Sequence, residues 1–546
     1  MFVILPYPAL TYKIHAMADG SISSLSPKSA ATEAAAWARW MMPSITDLIF
    51  ITLLACFCFT SLSSKLLNDA GIGWHIRTGQ LIVATHHLPQ TDPYSSITAG
   101  KPWIAWEWLY DVIVGALDSS LALNGAVWFT AVVIATVFAW TFRCMVARGT
   151  GLFPAVVLTL LATGASMIHI LARPHVLTWL FVVLWFSILD SSERNCFAAT
   201  IRSKKRWLWF LPLSMILWVN VHGGFLLGLI VCVIFWLSAL WTWLTARGVA
   251  FQDSLRRIAV RNRLRDLSLV AVLSLAATFA NPYGWHLHRH IFSYLTNSFL
   301  MNHIEEFQSP NFHQLAPKFF LAIVILTFVA VALHHRKMRV SETLLAAFAI
   351  DAGLYASRNL PIASILLVLV IGPILPKMPG ITHFSHRMRA VDSRLRGHLW
   401  CIAVLLFVFV LDLNGGRLSG KLLADAQFNP IRMPIGALNY LEKTGISEPV
   451  LTPDYWGGYV IYRLYPRTKV VIDDRHDLYG AKRLASYLRM LRLQPGWDVF
   501  LRDSQSSCLV MPTDAPITAM LNQTLGWQAV YSDSVSTIFR KADPTR

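Results

Sequence analysis

Apolar residues recur along this chain in long, nearly uncharged runs, separated alternately by short polar corners and by loops rich in Arg and Lys. A 30 Å hydrocarbon core takes about 20 helical residues to cross. Runs approaching that length predict eleven spans, at 45–64, 121–142, 152–171, 174–190, 207–221, 223–245, 266–281, 317–334, 340–357, 359–375 and 398–414. The loop after the first span breaks the pattern. From Trp74 to Ala84 its apolar residues fall at helical spacing, which predicts a helix lying on the membrane surface. Trp74 and Trp108 are then suited to the headgroup belt, and Asp92-Pro93 makes a turn.

After Leu413 the spacing changes again. A helix is expected near 433–444, then a strand at 450–452 and a helix opened by Trp456-Gly457-Gly458-Tyr459. A buried strand at 469–472 follows, with helices near 480–491 and 515–525 and strands near 508–511, 527–532 and 535–540. Alternation of this kind reads as a small α/β layer domain. The chain therefore divides into an N-terminal extension (1–44), a polytopic α-helical membrane domain (45–414) with a long first loop (65–120), and an α/β domain (415–546).

Composition supports the membrane reading. Hydrophobic residues make up 55% of the chain, charged residues 14%, and the mean hydropathy is +0.50, against about 25% charged in soluble domains. Disorder, collagen, a coiled coil and a secreted disulfide scaffold are excluded. The net charge of +17 invites a nucleic-acid partner, but its distribution gives another account. With a cytoplasmic N-terminus, the loops on that side hold 21 cations: Arg143 and Arg148; Arg194, Arg202 and Lys204 to Arg206; Arg247, Arg256, Arg257, Arg261, Arg263 and Arg265; Arg336, Lys337 and Arg339; and Lys377, Arg387, Arg389, Arg394 and Arg396. The opposite loops hold Lys65, Arg77, Lys101, Arg173, Arg289 and Arg358. This is the positive-inside asymmetry, so the partner is the lipid bilayer and no nucleic acid is expected. Eleven spans place the tail outside the cytoplasm. No cleavable signal pattern precedes the first span, which is expected to serve as an uncleaved anchor. Of seven cysteines only Cys508 falls in the tail, which leaves that domain without an internal disulfide.

The span interiors are plainly apolar and show no duplicated half, so a transporter is disfavoured. Asp351 is the intramembrane carboxylate such a reading would need. The unusual residues gather at the corners facing away from the cytoplasm. They are Asp69, His75, Arg77, Asp92 and Glu107 in the first loop, and Arg173-Pro174-His175, Asn220 to Gly224, Asn281 to Gly284, Glu305-Glu306 and Ser357-Arg358-Asn359 further on. In the tail, Asp473, Asp474 and Arg475 close the strand at 469–472, with Tyr479 beyond them, where an α/β sheet lines its crevice. Arg173 and Arg358 suit forked contacts to a phosphate, which Lys would not make. No P-loop or dinucleotide fingerprint is present.

A long first loop with an acidic residue just past the first span, about eleven spans and a soluble C-terminal domain outside resembles the GT-C superfamily of membrane glycosyltransferases. Asp69 to Gly79, Thr91-Asp92-Pro93, Arg173-Pro174-His175, Asn220 to Gly223 and Tyr455-Trp456-Gly457-Gly458-Tyr459 look like a bacterial branch of it, over about 45 to 540. The resemblance implies a bacterial inner-membrane enzyme that takes sugar from a polyprenyl-phosphate-linked donor. The acceptor would be a glycan, lipid or protein outside the cytoplasm. It makes Asp69 the base or acceptor-positioning residue, with Glu107 as the other catalytic candidate. His75, Arg77, Asp92, Arg173, His175, His222, Arg358, Asp473, Asp474 and Arg475 are the expected substrate contacts. No cofactor is fixed. The family often carries a paired acidic motif where this chain has Asn68-Asp69 followed by Gly71, so a divalent metal stays open with no ligand assigned. The alternative is a non-catalytic membrane scaffold that binds lipid-linked glycans during envelope assembly.

Overall fold

The computed structural model describes residues 39–196, 206–246, 251–333, 338–375, 388–392 and 394–542, with side chains from 257 onward in the helix Phe251–Ala277. The extension up to residue 38, Arg202, Lys204, Lys205, Arg247, Arg336, Lys337, Lys377 and Arg387 lie outside the described residues, as does the side chain of Arg256.

Each of the eleven predicted spans contains a helix: Ile45–Phe59, Leu123–Ala147, Leu152–Ser166, His175–Arg194, Phe210–Val221, Leu226–Thr245, Phe251–Ala277, Leu315–Leu333, Val340–Tyr355, Leu360–Ile371 and His398–Leu413. Among the described residues seven helical segments are long and apolar enough to cross a membrane, with shorter apolar helices at Arg206–Val221 and His398–Leu413. The chain is an integral, multi-pass membrane protein. Leu360–Ile371 is buried at every position but Ile362 and forms the centre of the bundle. Helices around it turn large apolar side chains outward, such as Val272, Phe328 and Val410, as a hydrocarbon surround requires.

Opposite charges hold one end of the bundle together. Arg148 meets Glu342 at 2.7 Å, while Arg339 reaches Asp190 at 2.8 Å, Glu193 at 2.9 Å and Glu342 at 2.7 Å. Arg194 and Arg263 join them through Asp190 and Glu193. Several of the loop arginines that mark the cytoplasmic side in the sequence are thus internal struts as well. Asp351 lies exposed on its helix, whereas Asp47 is buried and bound to His398 at 2.7 Å.

The tail contains a four-stranded mixed sheet. Its strands are β1 (Val450–Leu451), β2 (Cys508–Pro512), β3 (Trp527–Ser532) and β4 (Ser536–Lys541), in the order β1-β2-β4-β3. β1 and β2 run parallel and the other pairs antiparallel. Helices Ile435–Thr444, Asp454–Leu464, Ala481–Leu491 and Pro516–Gln523 fall where the sequence puts them. The expected strand at 469–472 is reduced to single bridges, yet it decides the architecture. Val470 pairs with Val450 on one side and with Ser95 of the first loop on the other. Val470 N donates to the Tyr94 carbonyl at 3.1 Å and Ser96 N to the Val470 carbonyl at 2.8 Å. The first loop therefore extends the tail's sheet by one short stretch of backbone. All seven cysteines are free.

The first-loop helix, Gly71–Thr85, turns its apolar stripe to protein and not to lipid. Ile72, Trp74, His75, Ile76, Thr78 and Ile82 are buried, because the helix is packed between Trp108–Leu121 and the tail helix Asp454–Leu464. A Cβ on Gly73 would stand 2.2 Å from the Gly458 carbonyl oxygen, and one on Gly458 would stand 2.2 Å from the Ala70 carbonyl oxygen. Only glycine on both helices permits backbones this close. The two tryptophans expected in the headgroup belt serve internal bonds instead: Trp74 Nε1 donates to Asp474 at 2.9 Å and Trp108 Nε1 to Asn220 at 2.8 Å.

Candidate active site

Three chain segments meet at the site: the first loop, the start of helix His175–Arg194 and the tail. Asp69 follows the first span, and its Oδ1 accepts from the Gly71 backbone N–H at 2.8 Å and from Arg173 Nη2 at 2.7 Å. The same Nη2 donates to Oδ2 of Asp474, whose Oδ1 is held by Trp74. Gly71 makes room for the cluster, since a Cβ there would lie 2.6 Å from both Arg173 Nη2 and Asp474 Oδ2. Asp69 Oδ2 accepts from no described residue, and its side chain is 24% exposed. Arg173 Nε is buried without a partner.

This cluster forms one wall of a cavity of about 570 Å³. Asn68, Asp69, Ala70, Arg173 and Asp474 line the inner side, and Arg432, Met433, Tyr455, Trp456, Thr513, Asp514 and Ser534 the tail side. Burial beside Asp69 and Asp473 lifts the Asp474 carboxyl to about 6, against the pull of Arg173. The carboxylate at 69 and the one at 474 are therefore unlike. The first offers a free oxygen to the cavity; the second has both oxygens engaged.

Behind this wall lies a second polar group. Glu107 is buried between His75 and His222, 3.8 Å and 3.7 Å away, and desolvation pushes its carboxyl up to about 8. His75 Nδ1 lies 2.6 Å from Asp111 Oδ1. His222 Nδ1 shares a hydrogen bond with Thr178 Oγ1 at 2.8 Å and accepts from the Gly224 N–H, so it caps the turn at Gly223-Gly224. His175 Nε2 lies 2.8 Å from the His169 carbonyl oxygen. Arg358 pairs with Glu306 at 3.5 Å over the Phe307 ring. Burial alone would raise the Glu306 carboxyl, but Arg358, Arg173 and two histidines hold it down at about 2.

Of the residues singled out in the sequence, Asp69, Arg173 and Asp474 come into direct contact at the cavity. Glu107, His75 and His222 form the second group, and His175 and Arg358 do not line the cavity. The remaining expected substrate contacts are committed to the protein itself. Arg475 is buried between Asp473 at 2.7 Å and Asp92 at 3.0 Å, with its guanidinium over Trp74, Tyr94 and Trp103. Asp92 also closes its own turn through the Tyr94 N–H and Thr98. Arg77 Nε donates to the Tyr462 carbonyl at 2.8 Å and fastens the tail helix. These four hold the first loop to the tail. Trp74 and Asp111 were passed over as chemistry. Asp111 stands one helical turn beyond Glu107, the spacing that puts two carboxyls on one face.

A divalent metal does not fit the residues present. Among the described residues no three His, Cys, Asp or Glu side chains converge as a ligand set. The point between Asp69 and Asp474 is taken by Arg173 Nη2.

No protein-family model matches the sequence, and no curated protein matches it significantly. Solved structures match its fold. The oligosaccharyltransferase of Archaeoglobus fulgidus in its apo form gives a TM-score of 0.52 at 10% identity, covering 92% of this chain and 74% of that one. With a tethered acceptor peptide containing the NVT sequon, the same enzyme gives 0.51 at 11% identity, over 91% and 74%. ArnT from Cupriavidus metallidurans, bound to undecaprenyl phosphate, gives 0.52 at 12% identity, over 91% of this chain and 98% of that one. The fold is GT-C-like, a class of membrane protein that includes lipid-linked-sugar glycosyltransferases. At 10–12% identity the likeness is one of fold alone.

Proposed function

We propose that this protein is a glycosyltransferase of the bacterial inner membrane. It moves a sugar from a polyprenyl-phosphate donor to an acceptor hydroxyl or amide outside the cytoplasm. The observation that carries the reading is Asp69 Oδ2. It is a carboxylate oxygen without a partner among the described residues, on a side chain that lines a cavity of about 570 Å³, while its twin oxygen is fixed by Gly71 and Arg173. The undecaprenyl phosphate bound by the Cupriavidus protein supports the choice of carrier.

In this mechanism Asp69 Oδ2 takes the acceptor's proton as the acceptor attacks the sugar's anomeric carbon. The bond from that carbon to the phosphate oxygen breaks, and its electron pair leaves with the polyprenyl phosphate. Charge grows on that phosphate, and Arg173 in the cavity wall is a cation placed to receive it in a partly dehydrated site. Positioned proton abstraction is typically worth 10²–10⁴-fold. The cavity wall of Tyr455, Thr513, Asp514 and Ser534 would seat the acceptor.

The test is turnover of radiolabelled polyprenyl-phosphate sugars by the purified protein in lipid. Asp69→Asn is expected to lower turnover by at least 10²-fold while leaving the thermal unfolding temperature and donor binding in place. Full turnover in that variant would remove Asp69 as base. Tight donor binding without turnover in the wild type would return the protein to the scaffold reading.

A further inference from the structure

We propose that Arg173 fills the position a divalent cation would take between the paired carboxylates, so that the site carries its cation as a side chain and works without a metal. The inference depends on the glycosyl-transfer reading for what the site does, but occupancy of the cation position is tested by metal binding alone.

Three observations converge on it. A single guanidinium nitrogen, Arg173 Nη2, donates to Oδ1 of Asp69 and to Oδ2 of Asp474, which is the bridging place between two acids. The acids come from distant parts of the chain, one after the first span and one from the tail, so neither is a local partner of the arginine. Each carboxylate is further oriented by a fixed donor that aims it at the arginine, the Gly71 N–H on Asp69 Oδ1 and Trp74 Nε1 on Asp474 Oδ1. A hard divalent cation prefers oxygen ligands and keeps several waters. A guanidinium matches carboxylates through directed N–H donors and never loses its charge. Gly71 confirms the design sterically, because any side chain there would push into the arginine and Asp474 together.

Asp474 thereby becomes a positioning residue. It holds the arginine that fixes Asp69, and it does so from the tail.

The experiment titrates Mn²⁺ into the full-length protein in lipid nanodiscs and follows free Mn²⁺ by electron paramagnetic resonance. Wild type is expected to bind no Mn²⁺ that Asp69→Asn or Asp474→Asn removes. Arg173→Ala, which leaves the two acids facing one another, is expected to bind about one Mn²⁺ per chain at least tenfold more tightly. That gain should disappear when Asp474→Asn is added. Should Arg173→Ala fail to fold, Arg173→Gln keeps the volume and removes the charge. A stoichiometric Mn²⁺ site in wild type that Asp69→Asn abolishes would overturn the proposal, and so would a folded Arg173 variant that binds no more Mn²⁺ than wild type. Turnover is read separately in the presence of a chelator. Loss of turnover with no Mn²⁺ site would count against metal-free working, while absence of turnover under all conditions would count against the transfer reading and leave the binding result standing.

Discussion

Asp92, Asp473 and Arg475 show how polar residues that look available in a sequence are used up by one another in space. Asp92 and Arg475 come from opposite ends of the chain, and no local spacing announces that they meet at 3.0 Å. Removing the arginine leaves two buried carboxylates without a counter-charge. Arg475→Met is therefore expected to cost about 3–5 kcal/mol, read as a large drop in thermal unfolding temperature in detergent. Glu107 gives a prediction of a different kind. Its carboxyl is raised from 4.5 to about 8 in the folded protein, so the folded state binds the proton more tightly than the unfolded one. The contribution is complete below the unfolded value and is lost as pH rises through about 8. Stability should fall with a slope of up to about 1.4 kcal/mol per pH unit across that window, and Glu107→Gln should flatten it. Unfolding measured from pH 5 to 9 decides this; an unchanged slope in the variant would assign the titration elsewhere. Asp69 and Arg173 were legible as candidates because each stands at a corner just outside an apolar run. Their contact was not legible, since 104 residues separate them.

The first-loop helix was readable as a helix and misread as to its surroundings. An apolar stripe has the same spacing whether it faces lipid tails or protein, so periodicity alone cannot choose between them. The glycines carried the missing information. Gly73 on one helix and Gly458 on the other are small residues where two backbones must touch, a pattern of helix contact rather than of lipid exposure. Gly458→Ala forces its new methyl against the Ala70 carbonyl oxygen and is expected to cost about 1–3 kcal/mol. Limited proteolysis should then release the tail at protease levels that leave wild type intact. The tail's helices and strands were legible to within a few residues, because its alternation of buried runs and turns is local. The exception is 469–472, whose partners are single residues on either side, too few to register as a ladder.

On the scale of the whole molecule, charge divides the bundle into two ends. The helix beginning at His175 starts beside the cavity and finishes at Asp190, Glu193 and Arg194 in the far ionic network. At 1.5 Å per residue those places are about 30 Å apart, a hydrocarbon thickness. The sequence reading places the network on the cytoplasmic side and the cavity on the other. Leu525, which is 99% exposed in the tail, offers the check: Leu525→Cys is expected to react with a membrane-impermeant maleimide added to intact cells, and labelling only after lysis would invert the topology. The distribution of Arg and Lys made this division legible. That those arginines also cross-brace four helices was not, because orientation and bracing call for the same residue types.

The shared edge at Ser95 and Val470 has a consequence in time. Trp74 and Asp474 are 400 residues apart, and a ribosome adding 5–20 residues per second takes roughly 20 to 80 s to travel between them. For that interval the first loop has left the ribosome but lacks the strand and helix that cover it. The machinery of membrane insertion must therefore keep a half-built pocket from finding a wrong partner, and a chain cut short before Asp474 never closes the pocket at all. The cavity stays open for longer still, because its wall also needs Thr513, Asp514 and Ser534.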